Sequence, residues 1–415
     1  MIDNELKRVL KKEENRQEET LDLIASENIT SKEVRFFLGS VLTNKYSEGY
    51  PGKRYYPGNA YSDEIEELAE KRALHLFGLD PKKWRANVQP YSGSPANAEI
   101  YLGLVRPGET VMGMELASGG HLTHGQSVSI SGRVWKSVQY GVDLKTGLIS
   151  FEEVLKIARE ARPKVIVCGF TAYPRKIDFK KFRKIADEVG AYLIADISHI
   201  AGLVAAGVHP SPFPYAHAVM STTHKTLRGP RGAVIFSRLE KKSGSEMTIA
   251  DAIDRAVFPG MQGGPHNNET AAKAQAFYEA SRPGFKRYAE QIVKNAKALE
   301  AGLKKRGFNL ISGGTDTHLL LVDVRDFGID GMKAESMLEK NGIIANRNSV
   351  PGDTSPFKPS GIRLGTPALT TRGMKEKEMD KIAELIYKSL RGEKGVGEEA
   401  VKLCRKFPAK KLLEE

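Results

Sequence analysis

The sequence predicts an α/β protein, with a mainly parallel mixed sheet in a large domain and a smaller C-terminal α/β domain after it. Three observations carry this reading. Between residues 163 and 236, short apolar runs alternate with helical patterns, as expected of strands joined by crossover helices. A long helical pattern over 284–306 then separates that region from a second group of strands and helices. Forty glycines in 415 residues supply the tight turns that such alternation needs.

The elements follow in chain order. The first 20 residues are highly charged and read as an amphipathic helix or arm. The spacing predicts a strand over 163–170, a helix over 179–189, and strands over 192–196, 216–222 and 232–236. The helix over 284–306 sets Ile292, Ala296, Leu299 and Leu303 on one face and meets Gly307 at its end. Strands are expected over 318–324, 343–346 and 361–365, and helices over 331–340 and 375–390. The last 20 residues read as a polar extension with a basic bias. Three units result: a helical arm over 1–22, a large domain over 23–283, and a small domain with a polar tail over 284–415.

Composition narrows the class. Hydrophobic residues make up 40% of the chain, enough for a sizeable core. There are two cysteines, and Cys168 sits in the apolar run Val165-Ile166-Val167-Cys168, where a buried inert thiol is expected. No disulfide framework or zinc spacing is visible, so no metal is expected and a cytoplasmic enzyme is the default. No signal core or membrane-spanning run is present. The net charge of +12 could serve nucleic-acid binding, yet the basic residues are interleaved with acids, as in Lys180 to Glu188. That pattern reads as a solvated helix face, so nucleic acid is not expected as the main partner. A positive field also draws in anionic substrates.

Two predicted strand ends carry the chemistry. The run Ala191-Tyr192-Leu193-Ile194-Ala195 ends in Asp196, with His199 three residues on. The next strand leads into Ser221-Thr222-Thr223-His224-Lys225-Thr226. Pyridoxal phosphate chemistry needs a lysine amine to condense with the aldehyde and an anion beside the pyridine nitrogen. Lys225 and Asp196 supply both residue types at the strand ends where such sheets bind ligands.

Other segments fit the same site. Ser92-Gly93-Ser94-Pro95-Ala96-Asn97 reads as a phosphate cup opening a helix, with Pro95 suited to the first turn. Gly119-Gly120-His121-Leu122-Thr123-His124-Gly125 offers an imidazole that could stack on a cofactor ring, bind a metal, or make ordinary loop hydrogen bonds. The run from Thr43 to Gly58 holds Tyr46, Glu48, Tyr50, Tyr55 and Tyr56 among glycines and prolines. So aromatic a loop should be buried against something, as a surface loop packed on its own chain or as an active-site loop reaching into a partner subunit. Arg363 alternates with apolar neighbours in Gly361-Ile362-Arg363-Leu364-Gly365, and its planar fork suits a carboxylate.

Together, from Leu23-Ile24-Ala25-Ser26-Glu27-Asn28 to Gly365-Thr366-Pro367-Ala368, these segments resemble the serine hydroxymethyltransferases, fold type I pyridoxal phosphate enzymes. The resemblance implies that Lys225 carries the Schiff base, Asp196 pairs with the pyridine nitrogen and His121 stacks on the ring. It implies that Thr171, His199 and Thr222 also contact the cofactor. Ser92, Gly93 and Ser94 would hold the phosphate, helped by Tyr46 and Gly263 of a partner subunit. Arg363 would grip the amino-acid carboxylate near Ser26. Glu48 would handle protons, Tyr55 and Tyr56 would line the site, and His224 would influence specificity. Leu116, Gly120, Leu122, Asn348, Ser355, Pro356 and Phe357 match folate-contacting positions. Thr171 stands where the family usually has serine. The implied reaction moves the hydroxymethyl carbon of serine to tetrahydrofolate, giving glycine, in a homodimer or tetramer with shared sites. The alternatives are a folate-independent aldolase of the threonine aldolase type and an RNA-binding regulator.

Overall fold

A seven-stranded mixed sheet forms the centre of the computed structural model, which describes residues 2–353, 355 and 358–409. Across the sheet the strands run Trp84–Asn87, Ala233–Arg238, Ala218–Thr222, Tyr192–Asp196, Val165–Cys168, Thr110–Met114 and Lys136–Tyr140. The five from Ala218–Thr222 to Lys136–Tyr140 are parallel, whereas Ala233–Arg238 is antiparallel to both of its neighbours.

Both faces of this sheet are covered, which explains the continuous apolar runs. Side chains alternate between two cores. Ile166, Cys168, Leu193 and Ala195 face Phe179, Phe182 and Ile185 of the helix Phe179–Val189. Val165, Val167, Ile194 and Met220 face Ile100 and Leu104 of the helix Gly93–Leu104. That helix also carries a chemical oddity. Glu99 is fully buried, and among the described residues neither carboxylate oxygen has a hydrogen-bond partner. Burial pushes its pKa up to about 8, against a smaller opposing pull from Lys273.

The sign of that shift gives a stability prediction. A carboxyl raised in the folded state costs nothing below its unfolded pKa, and its cost grows until pH passes the folded pKa. Glu99→Gln should therefore leave thermal stability almost unchanged near pH 4 and raise it above pH 8, by about 2–4 kcal/mol. Unfolding scans at both pH values check this, and an equal gain at both would refute it.

The helix Pro283–Lys305 joins two cores. Phe285, Ala289 and Ile292 pack with the large sheet, and Ala296, Leu299 and Leu303 pack with the C-terminal region. There a four-stranded antiparallel sheet runs Asn309–Leu310, Leu319–Asp323, Gly361–Gly365, Asn346–Asn348. The expected strand over 343–346 is two pieces. Ile343–Ile344 pairs in parallel with Leu21–Asp22, and Asn346–Asn348 joins the four-stranded sheet. Leu21 and Leu23 thus pack in the C-terminal core.

The expected polar extension is also corrected. Val396–Lys406 is a helix that buries Val396, Ala400 and Cys404 against that core. Its polar residues fill only the outer face, so composition alone hid its amphipathic pattern. Buried Arg372 ties this helix to the N-terminal arm, the helix Asn4–Glu19. Its guanidinium donates to the carbonyls of Gln17, Glu18 and Thr20 and to those of Cys404 and Phe407. A cation is favourable where two helix C-termini converge. Among the described residues no helix is long and apolar enough to cross a membrane.

Candidate active site

Parallel strands bring their carboxyl ends to one edge. Asp196 ends its strand in register with Met220, so Thr222 and then Lys225 emerge beside it. The loop after Thr110–Met114 carries His121 to the same edge. There the backbone N–H of Thr171 donates to the Gly119 carbonyl at 2.7 Å. A small cavity results, lined by Gly93, His121, Thr171, Asp196, Thr222 and Lys225, with His124, His199 and others completing the wall.

Asp196 is the fixed anion of this cavity. Its carboxylate accepts from the Ser198 backbone at 3.0 Å and from the Asn97 amide at 3.0 Å, and it lies 3.0 Å from His124 Nε2. Burial alone would raise its pKa, but the His124 and Ser198 hydrogen bonds and the nearby imidazoles outweigh it and hold the group well below the ordinary carboxylate range. Asn97 donates also to Thr123 Oγ1, which lies 2.7 Å from His121 Nδ1. The two loop histidines therefore divide their work. His124 holds Asp196, while burial drops the pKa of His121 to about 4 and keeps its ring neutral.

Lys225 is buried, and its amine has no hydrogen bond or ion pair among the described residues. Burial lowers its pKa to about 8, partly offset by Asp196 and reinforced by Arg363 and Arg231. A neutral fraction near neutrality is what a nucleophilic amine requires. Thr222 Oγ1 is likewise buried without a partner. It sits beside Gly93 at the start of the helix Gly93–Leu104, where a Cβ at Gly93 would lie 2.7 Å from Thr222 Cγ2. A glycine, an unpaired hydroxyl and a helix N-terminus together make an anion cradle. The residues present therefore fit pyridoxal phosphate: an amine for the aldehyde, an anion for the ring nitrogen and a cradle for the phosphate.

Arg363 is the second unpaired cation. It donates to the Thr171 carbonyl at 2.9 Å and to Asn346 Oδ1 at 3.1 Å, and it makes no ion pair among the described residues. Burial lowers its pKa to about 10, so it stays charged. A buried guanidinium without an anion is costly, which marks a place for an anionic ligand.

A second cluster lies apart from the cavity. Tyr46 Oη donates to Glu48 Oε1 at 3.2 Å, and the Tyr46 and Tyr56 rings meet edge to face at 5.0 Å. Gly263 joins them, since a Cβ there would lie 3.1 Å from Glu48 Oε1. None of these residues lines the Lys225 cavity. The expected burial of the aromatic loop is only partial among the described residues. Tyr46, Tyr55 and Tyr56 stay 53%, 72% and 45% exposed, although Tyr50 is tied down by a hydrogen bond to the Asp254 carbonyl.

A family model described as serine hydroxymethyltransferase matches residues 1–386. The chain belongs to that family. It is thus a fold type I pyridoxal phosphate enzyme that reversibly transfers the serine hydroxymethyl group to tetrahydrofolate, giving glycine and 5,10-methylenetetrahydrofolate. The match gives no support to the RNA-binding or folate-independent alternatives.

Relative to the residues expected of a serine hydroxymethyltransferase, the cavity gathers Gly93, His121, Thr171, Asp196, His199, Thr222 and Lys225. Ser92 sits at the N-cap position of the cup helix without a side-chain capping bond among the described residues, and Ser94 is exposed in its first turn. Ser26 and His224 line a different cavity with Asp22, Arg231 and Arg372. Leu116 and Leu122 flank the buried Gly120, and Leu122 is exposed. Asn348 ends its strand and donates to the Ser349 carbonyl, and Ser355 is half-buried. Pro356 and Phe357 lie outside the described residues.

Four residues of the site escaped sequence reasoning: Asn97, His124, Ser198 and His318. His318 lies 3.2 Å from His199 with the rings stacked, and burial drops its pKa to about 3. His124 was visible three residues after His121, but only the fold shows that it faces Asp196.

Proposed function

We propose that catalysis takes place in a composite site, with the cofactor cavity from one chain and the tyrosine loop from a second copy. The observation that carries this is the separation within one chain of Tyr46, Glu48 and Gly263 from the cavity of Lys225 and Asp196. The exposed tyrosine rings add the apolar surface that a partner would cover.

Once bound, pyridoxal phosphate supplies an aldehyde for amine condensation and a protonated ring that accepts electrons from the α-carbon of the amino acid. In this reading Lys225 holds the aldehyde carbon, Asp196 the pyridine N–H and His121 the ring face. Thr171 and His199 would serve the cofactor's phenolic oxygen. Ser92, Gly93, Ser94 and Thr222 hold the phosphate with Tyr46 and Gly263 of the second copy. His124 and Asn97 keep Asp196 ionised and aimed. Arg363, assisted by Ser26, binds the serine carboxylate bidentately and so fixes which bond of the α-carbon faces the ring. Glu48 moves a proton at the hydroxymethyl oxygen and the pterin, Tyr55 and Tyr56 exclude water, and His224 tunes substrate choice. Leu116, Gly120, Leu122, Asn348 and Ser355 receive the folate.

The same reading divides the chain into an arm over 1–22, a large domain over 23–283 and a small domain over 284–415. Two unpaired, buried cysteines support a reducing, cytoplasmic setting.

Glu48→Gln tests the proton role. The variant should bind pyridoxal phosphate within about twofold of the parent, while folate-dependent serine cleavage falls about 10²–10⁴-fold, the range of a lost general acid–base group. Spectrophotometric cofactor titration and a coupled folate assay read the two. Retention of full activity would remove Glu48 from the chemistry.

A further inference from the structure

We infer that Tyr91 is a positioning residue whose hydroxyl acts on the neighbouring chain's cofactor phosphate. The inference rests on the composite-site reading. Tyr91 immediately precedes the cup Ser92-Gly93-Ser94. Its backbone N–H donates to Gln262 Oε1 at 2.9 Å, and its phenol donates to the Gly264 carbonyl at 2.8 Å. Its ring stacks on His266, with centroids 4.2 Å apart and planes 7° from parallel. Gln262 returns a hydrogen bond to the Gln89 carbonyl at 3.0 Å.

These contacts clamp the segment 262–266 from both ends onto the strand exit that carries the chain's own cup. Gly263 and Gly264 inside that segment sit against Glu48 and Tyr46, the residues assigned to the partner's site, since a Cβ there would lie 3.1 Å from Glu48 Oε1 and 3.2 Å from Tyr46 Cζ. One chain's cup and the part it lends to its neighbour are therefore a single hydrogen-bonded block. The Tyr91 backbone N–H and ring also hold the lent segment, at Gln262 and His266. Among the described residues the Tyr91 hydroxyl bonds to the lent segment, so its effect falls on the other site.

The test uses full-length hybrid dimers, co-expressed and purified through two different tags. One chain keeps Lys225. The other carries Lys225→Ala, so only one site can hold the cofactor covalently. Adding Tyr91→Phe to the Lys225→Ala chain should speed cofactor release from the competent site, followed by absorbance after dilution, about three- to tenfold, as loss of one hydrogen bond implies. The same change on the Lys225-bearing chain should alter release by less than twofold, a prediction of direction that follows from which segment the hydroxyl holds. Equal effects in the two placements, or an effect only in the Lys225-bearing chain, would overturn the inference. Should Tyr91→Phe lower the yield of folded dimer, His266→Ala removes the stacked ring without touching either cup and should show the same bias toward the partner's site. Failure of the composite site itself is a separate result, since hybrids of Lys225→Ala with Glu48→Gln would then show no recovered activity.

Discussion

Replacing Lys225 by alanine is expected to abolish the borohydride-reducible link between chain and cofactor and to lower serine cleavage by about three orders of magnitude or more. The reason is local. The buried amine has no partner among the described residues, stands at the strand edge beside Asp196, and is lowered to about pKa 8 by burial. Among the described residues no other lysine lines the cavity. Cofactor should still bind without a covalent link, because the phosphate cradle at Gly93 and Thr222 and the anion Asp196 are untouched. Peptide mapping of the reduced parent and the variant checks this. A reduced adduct that persists in the variant on another lysine would refute the assignment.

The second large effect is at Arg363. Arg363→Lys keeps the charge but loses the planar fork. Serine KM should rise about a hundredfold, within the cost of breaking one partner of a buried charged pair. Covalent attachment of the cofactor at Lys225 should be unchanged, because Arg363 bonds to Thr171 and Asn346 and not to the cavity anion. Steady-state kinetics and the cofactor spectrum separate the two readouts. An unchanged KM would place Arg363 outside the substrate site.

Much of this was legible in the residues. The strands at 192–196 and 361–365 and the helix at 179–189 have the expected limits because period and flanking turns agree there. The positions of Asp196 and Lys225 at a common edge follow from parallel strands, a rule of topology that needs no coordinates. What the sequence concealed depends on contacts across long stretches of chain. Asn97 and His124 reach Asp196 over separations of 99 and 72 residues. The strand at 343–346 split because Leu21–Asp22 came to pair with its first half, a partner more than 300 residues away that periodicity cannot register. The C-terminal helix was hidden for the opposite reason, since a short amphipathic helix with three buried residues looks polar in composition. The aromatic loop gave a mixed lesson. Its composition called for burial, and in the fold Tyr46, Tyr55 and Tyr56 stay exposed.

That loop leads to the most direct test of the composite site. Lys225→Ala and Glu48→Gln chains are each expected to be nearly inactive alone. Co-expressed with different tags and purified as hybrids, they should form dimers in which one site has both a wild-type cavity and a wild-type loop. Folate-dependent serine cleavage per hybrid should then recover to about half that of the parent dimer, because one of two sites is whole. Verified hybrids with no activity beyond the two parent variants would contradict a site built from two chains.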